Sequence, residues 1–197
     1  VDAADLDQVR RAANGCGAIV NCSVARQDRC AAFGVNTVGT YNALRAAVDL
    51  GHERFINTGP LFTLAGSFYR DFDFDIRESV PAHSGTGLYA LSKAAGQEIC
   101  RVFAQNHPIH VLTMIFSSFK DAQPANLGDS LGPLAITFGD AAQAVKKALA
   151  VDLAGLPSRC EAFFVTADLP HGRYSNAKAK RLLGFAPQDG LEGYWKK

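Results

Sequence analysis

Tyr89 and Lys93 lie four residues apart in the stretch from Leu88 to Phe103. Apolar residues recur through this stretch at helical spacing: Leu88, Leu91, Ala95, Ile99 and Val102. Side chains four residues apart share one side of a helix, so the ammonium can lie near the phenol and favour the phenolate. Such a phenol can exchange a proton with an alcohol or a carbonyl group. A surface tyrosine beside a solvated lysine is the alternative interpretation.

Further segments occur in a fixed order around this pair. They are Gly17–Ser23, Val35–Asn42, Glu53–Gly59, Ile109–Phe116, Ala179–Pro187 and Leu191–Trp195. With Tyr89-x-x-x-Lys93, they make the whole chain resemble the extended short-chain dehydrogenase/reductase family, the NAD(P)-dependent sugar epimerases, dehydratases and reductases. The resemblance implies an α/β fold, a Rossmann-like doubly wound parallel sheet.

One part of that family pattern is missing. The family begins with a strand, a glycine-rich turn and a helix whose N-terminus holds the pyrophosphate. Neither Gly-x-x-Gly-x-x-Gly nor Gly-x-Gly-x-x-Gly occurs here, and Val1 resembles the position just after the third strand. We therefore expect the first βαβ steps to be absent. The chain is then a fragment of a longer protein, which we favour, or a relative that has lost its phosphate-binding half.

Local patterns predict alternating helices and strands. Helices are expected at 5–13, 31–50, 88–107, 140–153 and 175–183, with Asp140 capping the fourth, and strands at 18–23, 55–58, 109–116 and 161–166. Residues 66–87 and 120–134 are expected to be irregular. We interpret residues 1–119 as a partial dinucleotide-binding domain and residues 120–197 as a small C-terminal substrate-side region folded onto it. The strand at 18–23 should be buried on both faces and lack a neighbour on one edge.

The resemblance also implies roles for individual residues. Tyr89 would be the general acid/base, and Lys93 would activate it and hold the nicotinamide ribose. The family's strand-end hydroxyl residue falls at Pro60 or Leu61, neither of which has a hydroxyl, so Thr58 and Thr63 are the candidate substitutes. Thr58 could instead form only a local hydrogen bond.

A cofactor site follows from the same resemblance. Its expected residues are Asp2 at the adenine amino group, Cys22 and Ser23 along the strand, Asn36 as a structural support, and Thr58, Tyr89, Lys93 and Ser118. Asp2 could equally be a frayed terminal residue. Ile115 and Ser118 stand where the family has an Arg and an Asn, which weakens the case for a sugar-nucleotide substrate. The cofactor would be NAD or NADP, with NAD slightly favoured.

Composition excludes some classes of function. The net charge of +1 gives no electrostatic reason to expect nucleic acid or a membrane as partner. The five cysteines and five histidines are scattered, so we expect reduced thiols, no metal site and a cytoplasmic protein. A homodimer through the helices at 31–50 and 88–107 is expected, or a partner covering the edge of the strand at 18–23.

Two functions remain open from the sequence. The first is an NAD(P)-dependent oxidoreductase, epimerase or dehydratase, acting by hydride transfer on a sugar nucleotide or another small carbonyl or alcohol substrate. The alternative is a non-catalytic relative or fragment that serves as a binding or interaction module.

Overall fold

Helices and strands alternate along the chain in the computed structural model, which describes residues 1–65, 77–78, 83–122, 131–132, 134–172 and 174–195. The helices are α1 (Leu6–Ala13), α2 (Arg29–Phe33), α3 (Gly39–Asp49), α4 (Phe62–Ala65), α5 (Leu88–Asn106), α6 (Phe138–Ala150) and α7 (Ala177–Leu183). The strands are β1 (Ile19–Asn21), β2 (Arg54–Pro60), β3 (His110–Phe116), β4 (Ser118–Lys120), β5 (Ala135–Thr137) and β6 (Cys160–Phe164). A π-helical turn at Gly34–Val38 joins α2 to α3.

The main sheet has four parallel strands in the order β1-β2-β3-β6. Parallel pairing brings the carboxyl ends of the strands to one edge of the sheet, where open α/β sheets bind ligands. Within the described residues, β1 pairs on one side only. Strands β4 and β5 form a separate two-stranded sheet that the sequence did not predict.

Helices cover both faces of the main sheet. Phe55 and Val111 are in register and pack with α1, α3 and α5. Their neighbours Ile56 and Leu112 point to the opposite face and pack with α6 and α7, because successive strand residues alternate between faces. The doubly wound parallel fold is thereby confirmed. Core residues on both sides of the expected division at residue 119 share this packing, and the division itself stays a prediction.

Three local predictions need correction. The helix expected at 31–50 starts earlier, at Arg29, because the Asp28 carboxylate accepts the Ala31 N–H, and the π-helical turn interrupts it. Thr137, not Asp140, caps α6, since its hydroxyl accepts the Asp140 N–H. Val20 is 36% exposed, so β1 is not buried on both faces. The reason is that, among the described elements, α6 on that side packs over β2. Most of 66–87 and 120–134 lies outside the described residues.

The two helices expected to form a dimer interface carry exposed apolar side chains. These are Val38, Tyr41, Leu91 and Val102. The dimer stays a prediction. None of the helices in the described part of the chain combines the length and the apolar character needed to cross a membrane.

Candidate active site

Lys93 connects the helix α5 to the ends of two strands. Its Nζ donates hydrogen bonds to the carbonyl of Ser23, just after β1, at 2.8 Å, and to the carbonyl of Thr58, in β2, at 3.4 Å. Only 5% of the residue is exposed. The ammonium therefore lies beneath the carboxyl edge of the sheet, with two of its three donors bound to backbone.

The environment of Lys93 disfavours its charged form. Burial lowers the pKa of the amino group below its ordinary value, and the Arg26 charge acts in the same direction. The neighbouring Cys22 and Cys100 thiols partly oppose this effect. A buried lysine of depressed pKa is a typical feature of functional sites.

This desolvation predicts a pH-dependent difference between the wild type and Lys93→Met. Between the lowered folded-state pKa and the ordinary value, the unfolded chain binds more protons than the folded chain, so the contribution of Lys93 to stability rises with pH. Urea unfolding at neutral and at alkaline pH should show the stability difference moving in favour of the wild type at alkaline pH. A difference that stays constant, or moves the other way, would contradict the assigned desolvation.

The Tyr89 ring is held between two side chains. The guanidinium of Arg26 lies over one face, with Cζ 4.3 Å from the ring centroid, and Phe62 makes an edge contact at 6.4 Å between centroids. Arg26 Nη2 also donates to the phenol oxygen at 3.3 Å. The sequence reasoning had not singled out Arg26.

Tyr89 and Lys93 line the same cavity, which measures about 410 Å³. Its walls are Cys22, Val24, Arg26, Thr58, Gly59, Pro60, Phe62, Tyr89, Lys93, Phe116, Ser117, Phe119, Ala141, Ala142 and Val145. Within the described part of the chain, the lining contains two cations and no carboxylate. A mostly apolar cavity with a few convergent polar groups is the usual form of a small-molecule site.

The two threonines proposed from the sequence differ in position. Thr58 lines the cavity, and its hydroxyl donates to the Asn21 carbonyl at 2.9 Å, which leaves its oxygen free to accept. Thr63 is fully buried, donates to the Pro60 carbonyl at 2.9 Å, and is not part of the lining. The structure therefore places only Thr58 with Tyr89 and Lys93.

Asn36 supports the site from within the π-helical turn. Its side chain forms two hydrogen bonds with the backbone of Ala25, donating at 2.8 Å and accepting at 3.0 Å, and donates to Ser92 Oγ at 3.0 Å. Ser92 in turn donates to the Tyr89 carbonyl. These bonds to the segment after β1 fix the residue that precedes Arg26.

The other predicted cofactor residues are dispersed. Cys22 lines the cavity, and burial raises the pKa of its thiol. Ser23 contributes its carbonyl to Lys93, while its hydroxyl donates to Asn21. Asp2 accepts the Ala4 N–H before α1 and does not line the cavity.

Ser118 lies in β4 outside the lining, whereas Ser117 and Phe119 on either side of it belong to the lining. Side chains alternate along a strand, so Ser118 and its two neighbours face opposite sides. The role of Ser118 at the cofactor stays a prediction.

A buried polar ladder crosses the sheet beneath the cavity. Asn21, Asn57 and Thr113 are in register on β1, β2 and β3. Asn21 Nδ2 donates to Asn57 Oδ1 at 3.3 Å and to Thr40 Oγ1 at 3.1 Å, and Asn57 Nδ2 donates to Thr113 Oγ1 at 3.5 Å. Buried amides that find partners specify one register, because an unpaired polar group would be costly. The sequence reasoning missed this ladder.

The residues fit one end of a nicotinamide cofactor. Lys93 retains one donor beyond its two backbone bonds, which suits a ribose hydroxyl. The chain contains no glycine-rich turn to hold the pyrophosphate. No group of three or more metal-ligating side chains occurs among the described residues.

The sequence model of the NAD dependent epimerase/dehydratase family matches residues 1–120. The chain belongs to this family. The match confirms the resemblance drawn from the sequence. No curated protein sequence is significantly similar to this family member.

Solved structures share the fold of this family member. Uronate dehydrogenase from Agrobacterium tumefaciens is 19% identical with a TM-score of 0.80, covering 98% of this chain and 69% of that chain. Glucuronic acid dehydrogenase from Chromohalobacter salexigens is 22% identical with a TM-score of 0.80 and the same coverage. The dTDP-glucose 4,6-dehydratase DesIV from Streptomyces venezuelae is 19% identical with a TM-score of 0.74, covering 100% of this chain and 80% of that chain. The family member thus spans about two thirds of the length of the uronate dehydrogenases.

Proposed function

We propose that this protein binds NAD(P) through the nicotinamide end and oxidises or reduces a small sugar-type alcohol or carbonyl compound. The proposal rests on one observation. Tyr89 and the buried Lys93 line the same cavity, at the carboxyl edge of β1 and β2. Family membership supports it. NAD is favoured over NADP, because the family is NAD dependent and several of the similar solved structures contain NAD.

The chemistry of the site centres on the Tyr89 hydroxyl. The cofactor, when bound, would accept or donate the hydride. In the oxidising direction, Tyr89 as phenolate accepts the proton of the substrate hydroxyl, while the carbon that bears this hydroxyl loses its hydrogen as hydride. In the reducing direction, Tyr89 donates its proton to the carbonyl oxygen. Arg26 Nη2 donates to the same phenol oxygen at 3.3 Å. Thr58, whose hydroxyl oxygen can still accept, is the proposed polar partner of the substrate hydroxyl.

Apolar side chains form much of the cavity wall. Phe62, Phe116 and Phe119 line the cavity together with the α6 residues Ala141 and Val145. Exclusion of water strengthens the electrostatic interactions inside a site and protects the hydride from competing proton transfer.

Calorimetric titration of the protein with NAD⁺, NADH, NADP⁺ and NADPH tests the proposal. One oxidised and reduced pair should bind with a dissociation constant in the range of roughly 1 μM to 1 mM. Lys93→Met should weaken that binding, while Lys147→Met on the exposed side of α6 should leave it unchanged. Absence of binding by all four cofactors would count against the proposal.

A binding or interaction module is the second candidate. The single pairing of β1 within the described residues favours it. Hydride transfer to or from any sugar, aldehyde or ketone, followed through the absorbance of the reduced nicotinamide, would exclude it.

A further inference from the structure

The guanidinium of Arg26 has donors with no partner among the residues that the structure describes. It carries five N–H donors, and one of them reaches Tyr89 Oη. No other side-chain hydrogen bond and no ion pair of Arg26 occurs within the described residues. An arginine beside an enzyme cavity without a carboxylate partner has its charge available to a ligand.

The backbone that carries Arg26 is fixed. Asn36 holds the preceding residue, Ala25, by two hydrogen bonds, and both Asn36 and Ala25 are buried. The guanidinium also contacts the Tyr89 ring, with Cζ 4.3 Å from the ring centroid, and this contact restrains it. One of its five donors binds Tyr89 Oη, and the others can bind a ligand. A planar guanidinium can bind carboxylate or phosphate with two hydrogen bonds.

The charges of the cavity also indicate an anion. Of its two cations, Lys93 is buried and donates to two backbone carbonyls, whereas Arg26 is exposed. No carboxylate lies among the described lining residues to neutralise either cation. A bound anion would complete the missing half of an ion pair with Arg26.

We propose that Arg26 binds an anionic group of the substrate, so that the substrate is an anionic hydroxy or oxo compound such as a sugar acid or a sugar phosphate. This inference rests on the proposed function and narrows its substrate class. The phenol oxygen that would contact the reacting oxygen lies 3.3 Å from Nη2. One molecule of hexose size can therefore meet both groups. Arg26 is then a specificity-determining residue, because neutral sugars leave its charge unpaired.

Binding of three matched ligands tests this role without requiring turnover. Glucuronate carries a carboxylate, glucuronamide is its neutral isostere, and glucose 6-phosphate carries a phosphate. Calorimetric or NMR titrations of the wild type should show at least one anion binding about tenfold tighter than glucuronamide, as one charge-assisted pair would give. Preference for glucuronate would assign a carboxylate, and preference for glucose 6-phosphate a phosphate. Added salt should reduce the difference in affinity between the anion and glucuronamide.

Variants distinguish a direct contact with Arg26 from the overall electrostatic effect of the protein's charge. Arg26→Gln should abolish the preference for the anion, and Arg26→Lys should retain part of it, since an ammonium cannot bind in two-pronged fashion. Arg29→Gln removes an equal charge from the exposed start of α2 and should leave the preference intact. Equal affinity for anion and isostere in the wild type, an unchanged preference in Arg26→Gln, or equal losses in both glutamine variants would overturn the proposal.

The readout also distinguishes this inference from the proposed function. An intact anion preference in a protein that binds no nicotinamide cofactor would count against the proposed function alone. A protein that binds cofactor but shows no preference would overturn the role of Arg26 alone. If Arg26→Gln lowers kcat equally for charged and neutral substrates without a change in KM, Arg26 acts only on Tyr89 and the proposal is wrong.

Discussion

Replacing Tyr89 by phenylalanine is expected to lower kcat for hydride transfer by about 10²–10⁴-fold, the usual contribution of a positioned general acid/base. The substitution removes one hydroxyl and leaves the ring, so the contact with Phe62 and the stacking of Arg26 can persist. Lys93 keeps its bonds to the two backbone carbonyls. Cofactor affinity and the free energy of unfolding should therefore change little while turnover falls. Steady-state kinetics, with calorimetry and urea unfolding on the same preparations, measure all three.

Tyr41→Phe provides the matched control. Tyr41 lies on α3, makes an edge contact with Phe103 and is 44% exposed, away from the cavity. Loss of its hydroxyl should leave turnover at the wild-type level. Unchanged turnover in Tyr89→Phe, or an equal loss in Tyr41→Phe, would remove Tyr89 from the role of proton donor and acceptor.

The parts of the fold that the sequence predicted depend on local patterns. The stripe of apolar residues in α5 placed Tyr89 and Lys93 on one helix, and the structure shows that helix at Leu88–Asn106. Asp5 caps α1, and the positive φ of Gly51 and Gly184 follows the ends of α3 and α7. Caps and helical periodicity act within a few residues, so one sequence carries enough information to locate them.

The parts that it did not predict depend on contacts between distant segments. Arg26 meets Tyr89 across 63 positions, and the α6 residues in the cavity wall are more than a hundred positions from Cys22. Cross-strand partners such as Asn21, Asn57 and Thr113 become visible only when the register is known. No local signal indicates which side of a three-residue strand faces a cavity, so the sequence could not distinguish Ser118 from its neighbours Ser117 and Phe119 as lining residues.

Gly96→Ala is expected to destabilise the protein by about 1–3 kcal/mol through overpacking. A Cβ at Gly96 would lie 2.5 Å from the backbone oxygen of Asn36 and 3.1 Å from Thr40 Oγ1. The Asn36 oxygen belongs to the π-helical turn and already accepts a bond from Thr40, so it cannot move aside as a flexible side chain would. Relief requires α5 to shift away from that turn. Urea unfolding measures the loss of stability.

The same shift should disturb the candidate active site, so the variant has a second measurable effect. Asn36 holds Ser92 on α5 and the backbone of Ala25, and α5 carries Tyr89 and Lys93. Moving the helix from the turn therefore changes the position of Lys93 relative to the strand ends, and cofactor affinity should fall along with stability.

Gly34→Ala is the matched control, because it makes the same substitution at a glycine that has no close contact. Gly34 is the first residue of the π-helical turn and has right-handed helical angles, φ −57° and ψ −48°. A Cβ there would meet no atom within 4 Å. Because alanine restricts the unfolded chain without a steric conflict, this substitution should be neutral or stabilise the protein by about 0.4–1 kcal/mol. Opposite signs for the two alanine variants would locate the constraint at the contact between α5 and the π-helical turn. Equal effects of the two substitutions would mean that this close contact does not fix the position of α5.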